Sequence, residues 1–194
     1  MRMFSRFFQR LRTSRRARYG AIAACLVLAT AMAAGAWRLT REKKARVYHP
    51  PGPLRGETAP EIIDRVEFWL NGGEVALASL KRKPVLLVFW HPRDGGKSLA
   101  ALPHVREVSA AFASKGLTTI GFCVLDEAKD LEPVLREHKI TFRVGLDCDA
   151  DLHRQYRIDV VGTPYAYLVD GKGVVAWDGP PDELDESEVR KLLP

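Results

Sequence analysis

Val85-Leu-Leu-Val-Phe-Trp90, then His91-Pro-Arg-Asp-Gly-Gly-Lys-Ser98, then Leu99-Ala-Ala-Leu-Pro103 decides how the chain is read. Six consecutive apolar residues, two of them Val, are the length and composition of a strand buried on both faces. The run stops at a Pro/Asp/Gly cluster, and a helical pattern begins directly after it. In α/β folds the carboxyl end of a central strand is where ligands and chemistry gather. Residues 90–98 are therefore the first candidate site.

Outward from this junction the chain alternates. Leu99, Leu102, Val105, Val108 and Phe112 recur at helical spacing, with Pro103 inside the pattern and Gly116 as a stop, so a helix is predicted over 98–115. Thr118–Leu125 reads as a second buried strand, ending at Asp126. Leu131–His138 reads as a short helix, Phe142–Asp147 as a third strand and Asp149–Tyr156 as another short helix. Val66–Leu70 and Glu74–Leu77, joined by Asn71-Gly-Gly73, predict a hairpin. Tyr165–Val169 and Val174–Trp177, joined by Asp170-Gly-Lys-Gly173, predict a second one. Asp185 with Glu188 opens a last helix in capping-box fashion. Strands alternating with helices imply an α/β domain whose central mixed sheet is flanked by helices.

The charge is unevenly placed. The formal net charge is +6, but residues 1–20 hold seven Arg and no acid, and residues 38–46 add a net four positive charges. The remainder is thus about five charges negative, which argues against nucleic acid as a partner: a nucleic-acid-binding domain carries its positive charge on the folded surface. Tyr19–Trp37 is 19 residues without a charge, bounded by Tyr and Trp. It predicts a transmembrane helix, with a basic cytoplasmic N-terminus at 1–18 and the domain outside. A cleaved signal peptide ending at Ala34-Gly35-Ala36 is the competing reading. Residues 38–56, with His49-Pro-Pro-Gly-Pro53, read as a linker, and 57–194 as the folded domain.

Several residue sets suggest chemistry. His91, Asp94 and Ser98 have the composition of a hydrolytic triad, but loop neighbours seldom face one another, so they are read as solvated. Gly96-Lys97-Ser98 resembles the end of a phosphate-binding loop, yet that motif needs Gly where His91 stands. His104, His138 and His153 lack paired metal-ligand spacing, so no metal and no cofactor are expected. Cys25 lies in the apolar stretch. Cys123 sits inside one predicted strand and Cys148 follows another, so the two could be neighbours at one sheet edge. Strict disulfide geometry favours separate thiols over a redox pair. Val161-Gly-Thr-Pro164 stands at the mouth of a strand and is a candidate for a cis peptide bond.

Taken in order, the first predicted hairpin, the LLVFW strand, the Leu-Pro helix, the F-x-V-x-x-D strand, Y-x-I-x-x-V-G-T-P and the D-G-x-G hairpin resemble a thioredoxin-like domain. The resemblance spans residues 57–193 and is closest to membrane-tethered, extracytoplasmic thiol–disulfide proteins. The related alkyl hydroperoxide reductase/thiol-specific antioxidant (redoxin) group is equally similar. It implies that Pro164 is cis and, with Thr163, faces the active-site loop and helps hold substrate polypeptide. It also implies Cys-x-x-Cys at the start of the helix. Aligning Leu102-Pro103 with the family's helix proline puts Gly95 and Ser98 at those two positions.

The expectation is therefore a domain at the cell membrane, on the extracytoplasmic (periplasmic) side, that lacks the usual dithiol. A polypeptide partner is expected in a groove formed by Trp90, His91, Gly95, Gly96, Lys97, Ser98, Thr163 and Pro164. The alternative is thiol–disulfide or peroxiredoxin-like activity through Cys123 and Cys148.

Overall fold

The computed structural model describes residues 54–125 and 128–193. Six strands form one mixed sheet: β1 (Phe68–Leu70), β2 (Val85–Trp90), β3 (Thr118–Cys123), β4 (Arg143–Leu146), β5 (Tyr165–Val169) and β6 (Val175–Gly179). Their order across the sheet is β1-β4-β3-β2-β5-β6. β2, β3 and β4 run parallel. β1 pairs antiparallel with β4, and β5 and β6 continue antiparallel beyond β2.

The helices are α1 (Lys97–Ala113), α2 (Ala128–Glu137), α3 (Asp151–Gln155), α4 (Ile158–Val161) and α5 (Glu186–Leu192). Strand parity divides the core. Leu86, Val88 and Trp90 of β2 pack with Leu102, Val105, Val108 and Phe112 of α1, Leu131 and Leu135 of α2, and Val189 of α5. Val85, Leu87 and Phe89 point to the other face, against Leu152, Tyr156 and Ile158 and against Leu54, Ala59, Ile62 and Leu77. A strand between two apolar layers has no polar face, which is why its sequence reads as an unbroken hydrophobic run. Each such side chain contributes about 1.5–3 kcal/mol by burial.

The helix after the central strand ends where its glycine stands. Gly116 has φ +103°. Leu117 N–H donates to Phe112 O at 3.1 Å and Gly116 N–H to Ala113 O at 3.1 Å, the bond pair of a Schellman stop.

The predicted hairpin over 66–77 does not form. β1 pairs with β4, in the register Phe68↔Leu146 to Leu70↔Val144. Residues Leu77–Leu80 are a 3-10 helix. Two side chains explain the difference. Asn71 Nδ2 donates to Ile140 O (2.8 Å) and Phe142 O (3.2 Å), so the turn docks on the segment entering β4 and the chain does not fold back. The Glu61 carboxylate accepts from Leu77 N–H (2.6 Å) and Ala78 N–H (3.0 Å) and so caps the 3-10 turn. The domain also begins earlier than position 57. Leu54 is buried in the core, and Arg55 Nε lies 2.6 Å from Asp178 Oδ1. Among the described residues no helix is long and apolar enough to cross a membrane. The candidate span Tyr19–Trp37, the basic N-terminus 1–18, linker residues 38–53 and Asp126 lie outside the described residues.

Candidate functional site

The loop from His91 to Gly96 leaves β2 and folds back over the start of α1. Gly95 and Gly96 have φ of +77° and +88°, in the left-handed region that glycine adopts without cost. This double turn brings Asp94 above the amino end of the 17-residue helix. Its carboxylate accepts from Ser98 N–H, at 3.1 Å to Oδ1 and 3.0 Å to Oδ2. The Ser98 hydroxyl donates a short hydrogen bond to Oδ2 of the same carboxylate. Thr163 Oγ1 donates to that oxygen at 3.3 Å, which ties the loop to the residue before Pro164. The Thr163–Pro164 peptide is cis.

The site is thus a carboxylate held by donors. Partial burial would raise the Asp94 carboxyl. The Ser98 hydroxyl and amide, the Thr163 hydroxyl and the nearby His91 ring outweigh that and hold it below its ordinary value. Its negative charge lies at the positive end of the α1 dipole, a further favourable placement.

This corrects the reading of Asp94 and Ser98 as independent solvated loop residues, because the glycine pair folds the chain between them. It does not make a hydrolytic triad. Ser98 is fully buried, its proton points to Asp94, and its oxygen accepts from His91 N–H at 3.0 Å. The His91 ring faces its own loop, with Nδ1 accepting from Arg93 N–H at 2.9 Å. The phosphate-loop reading meets the same obstacle, since the chain's own carboxylate occupies the mouth of the helix.

Of the residues expected to line the groove, Trp90 and Ser98 do not reach its surface. Both are 0% exposed. Trp90 shares the α1 side of the sheet with Leu86 and Val88, and its indole packs closely over the glycine at position 121. A Cβ there would stand 3.1 Å from Trp90 Nε1. Gly95, Gly96 and Lys97 are exposed, and His91, Thr163 and Pro164 are half-buried. Val161, beside this surface in sequence, is one of the exposed large apolar residues.

The two cysteines of the domain are both thiols. Cys123 is fully buried between Trp90 and Leu146 in the sheet register. Burial pushes its thiol far above the ordinary value, so the thiolate is strongly disfavoured. Cys148 is partly buried beyond the end of β4, where its N–H donates to Glu67 Oε2 at 2.9 Å.

Two polar clusters beside the site were not anticipated. Asp147, at the exit of β4, is fully buried and accepts from Leu152 N–H (3.2 Å) and His153 N–H (2.8 Å). Its Oδ2 also lies 2.7 Å from His153 Nδ1. Burial raises this carboxyl too, and the His153 and Leu152 bonds and the His153 charge reverse the shift. Asp178 on β6 receives Arg55 Nε at 2.6 Å and Tyr165 Oη at 2.7 Å, so the residue after Pro164 is anchored from below. Asp147 six residues before His153, at a strand-to-helix junction, was a readable local signal. The Asp178 cluster spans 123 residues and left none. His104 Nε2 lies 3.0 Å from Leu184 O. Among the described residues no three His, Cys, Asp or Glu side chains converge as metal ligands do.

The sequence matches the model of the AhpC/TSA family over residues 56–178. No curated protein matches it. Among solved structures, the thioredoxin domain of a thiol-disulfide oxidoreductase from Bacteroides vulgatus is 27% identical. That match covers 74% of this chain and 100% of the other, with a TM-score of 0.62. A thiol:disulfide interchange protein from Bacteroides sp. is 28% identical, covering 72% and 90%, with a TM-score of 0.59. A thioredoxin family protein from Chlorobium tepidum TLS, also a thiol:disulfide interchange protein, is 21% identical. It covers 74% and 100% at a TM-score of 0.59, and shows the fold alone. The six-stranded mixed sheet flanked by helices is thus a thioredoxin-like fold.

Proposed function

The chain belongs to the AhpC/TSA family, and we propose that it is a member whose strand–loop–helix site binds a polypeptide without exchanging disulfides. The carrying observation is the cluster at the amino end of α1. Where the resemblance calls for Cys-x-x-Cys, Gly95 and Ser98 stand, and residues 90–98 contain no sulfur. Thiol–disulfide exchange needs an accessible thiolate, commonly one stabilised at a helix N-terminus. Here a carboxylate uses the amide donor at that N-terminus, and the Ser98 oxygen is buried behind it. The surface that remains, with His91, Gly95, Gly96 and Lys97 on one side and Thr163-Pro164 on the other, suits an extended segment of another chain.

Insulin reduction and peroxide consumption assays test this. The purified protein is expected to stay at background in both. Turnover that disappears in Cys123→Ser or Cys148→Ser would replace the binding role with an unusual oxidoreductase, the activity that family membership itself favours. Burial of Cys123 weighs against that second reading.

We further propose that Tyr19–Trp37 is a single-pass anchor that leaves the domain on the extracytoplasmic side of the membrane. The support is the uncharged length and the seven arginines before it. Resistance to alkaline extraction, with the domain open to external protease, is the expected result. A mature protein beginning after Ala36 would identify a cleaved signal instead.

A further inference from the structure

At the opposite end of the sheet from Asp94, the amino-terminal ends of β3 and β4 and the outer face of α1 enclose an open cleft of about 370 Å³. Its walls include Asn71, Arg106, Ser109, Thr119, Thr141 and Arg143, and no acidic residue lines it. Two guanidinium groups therefore share one concavity in a domain whose overall charge is negative.

Among the described residues neither cation is paired with a carboxylate. Arg106 spends one donor on His138 O at 3.2 Å, and the Arg143 guanidinium donates to nothing among the described residues. Arg143 Nε is buried without a partner, and so is Thr119 Oγ1, on a residue only 6% exposed. Buried donors are nearly always satisfied, and each exception asks for an explanation. The Arg143 side chain is also held in place. A Cβ at Gly72 would stand 2.9 Å from Arg143 Nε, so the backbone of Gly72 packs directly on the guanidinium. An adjoining cleft shares Asn71 and Thr141 and adds Arg136 and Lys139 to the same rim, with Glu132 as the single acid.

We infer that this cleft is a binding site for a small molecule carrying an oxyanion, a phosphate or carboxylate group. The planar forks of Arg106 and Arg143 match such a group in geometry as well as charge. The hydroxyls of Ser109 and Thr141 line the same cleft and supply further donors. The site is independent of the Asp94 surface, so either assignment can fail alone.

Titration of the purified full-length chain with inorganic phosphate and with succinate, at constant ionic strength, tests the inference. The readouts are calorimetry and hydrogen-exchange protection of residues 117–119 and 141–143. Saturable one-to-one binding of at least one ion, with protection at those segments, is expected. Arg106→Gln and Arg143→Gln should each weaken it about tenfold or more, and Arg143→Lys should weaken it less. Lys172→Gln, in the β5–β6 turn, should leave it unchanged. No saturable response to either ion would overturn the site. So would equal weakening in Lys172→Gln, or a response only to phosphatidylglycerol vesicles, which would mark a charged surface.

Discussion

Two carboxylates stand at the exits of two parallel strands and do the same local job in different surroundings. Asp94 follows β2 and Asp147 follows β4, and each accepts from the helix that comes next, Asp94 from one backbone N–H and Asp147 from two. Each also binds a side chain of that helix, the Ser98 hydroxyl for Asp94 and the His153 ring for Asp147. Asp147 is fully buried, and its partner His153 meets Phe89 edge-on at 5.1 Å, with the tilted ring of Tyr156 4.9 Å from Phe89. Asp94 is half-exposed and reaches across to Thr163. The same device therefore serves stability at one strand exit and shapes a surface at the other. Burial decides which.

The contrast is broken most directly at Asp147. Asp147→Ala strands two backbone donors and one face of His153 in the core, and should cost about 3–5 kcal/mol of folding free energy. Urea unfolding measures this, and a loss below about 1 kcal/mol would show that the pair is not structural. The acid dependence of stability follows from the shifts. Asp94, Asp147 and Glu61 are all held below their ordinary values in the folded chain. Groups depressed on folding contribute stability that is present above the unfolded-state value and lost as pH falls through the folded one. The urea midpoint should therefore drop as pH descends through and below the ordinary carboxylate range. Asp147→Asn should flatten that descent more than Asp94→Asn, because solvent screens the half-exposed group.

The sequence makes the two strand exits unequally legible. Val85–Trp90 declares itself because both its faces are buried, and Gly116 because the Schellman stop is local. The Asn71-Gly-Gly turn misleads. It has hairpin chemistry, but β1 finds its partner 76 residues on, at β4, through contacts no local pattern encodes. At the site, residue types and positions could be read, but side-chain direction could not. Trp90 adjoins the loop in sequence, and strand parity with the space at Gly121 turns it inward. Asp94 and Ser98 look like separate loop residues until two left-handed glycines fold one over the other. By sequence Cys123 and Cys148 could share one sheet edge, and the fold encloses Cys123 within the register while Cys148 lies beyond β4. In each case the missing information is tertiary.

Asp94→Ala tests the exposed half of the comparison. Losing a cap at a helix start costs about 1–2 kcal/mol, less than expected for Asp147 because water can take over the stranded donors. The same substitution should loosen residues 91–96, visible as faster hydrogen exchange there while β2 stays protected. Unchanged exchange in the loop would mean that the glycine turns alone fix its path, and the carboxylate would lose its place in shaping the groove.

The smallest expected effect concerns the link between the two halves of that groove. Thr163→Val keeps the side chain's shape and removes only a 3.3 Å hydrogen bond at a half-buried position, worth about 0.5 kcal/mol or less. Stability alone would hardly register it. The Asp94 carboxyl should register it, because Thr163 is one of the donors holding it low. Removing that donor should raise the carboxyl, and carbon-detected NMR titration of its side chain reads the change. An upward shift in Thr163→Val, absent in a Thr141→Val control at the far end of the sheet, would tie the Pro164 segment to the loop energetically. No shift would leave the two sides of the groove as neighbours that do not sense each other, and a partner would then have to organise both.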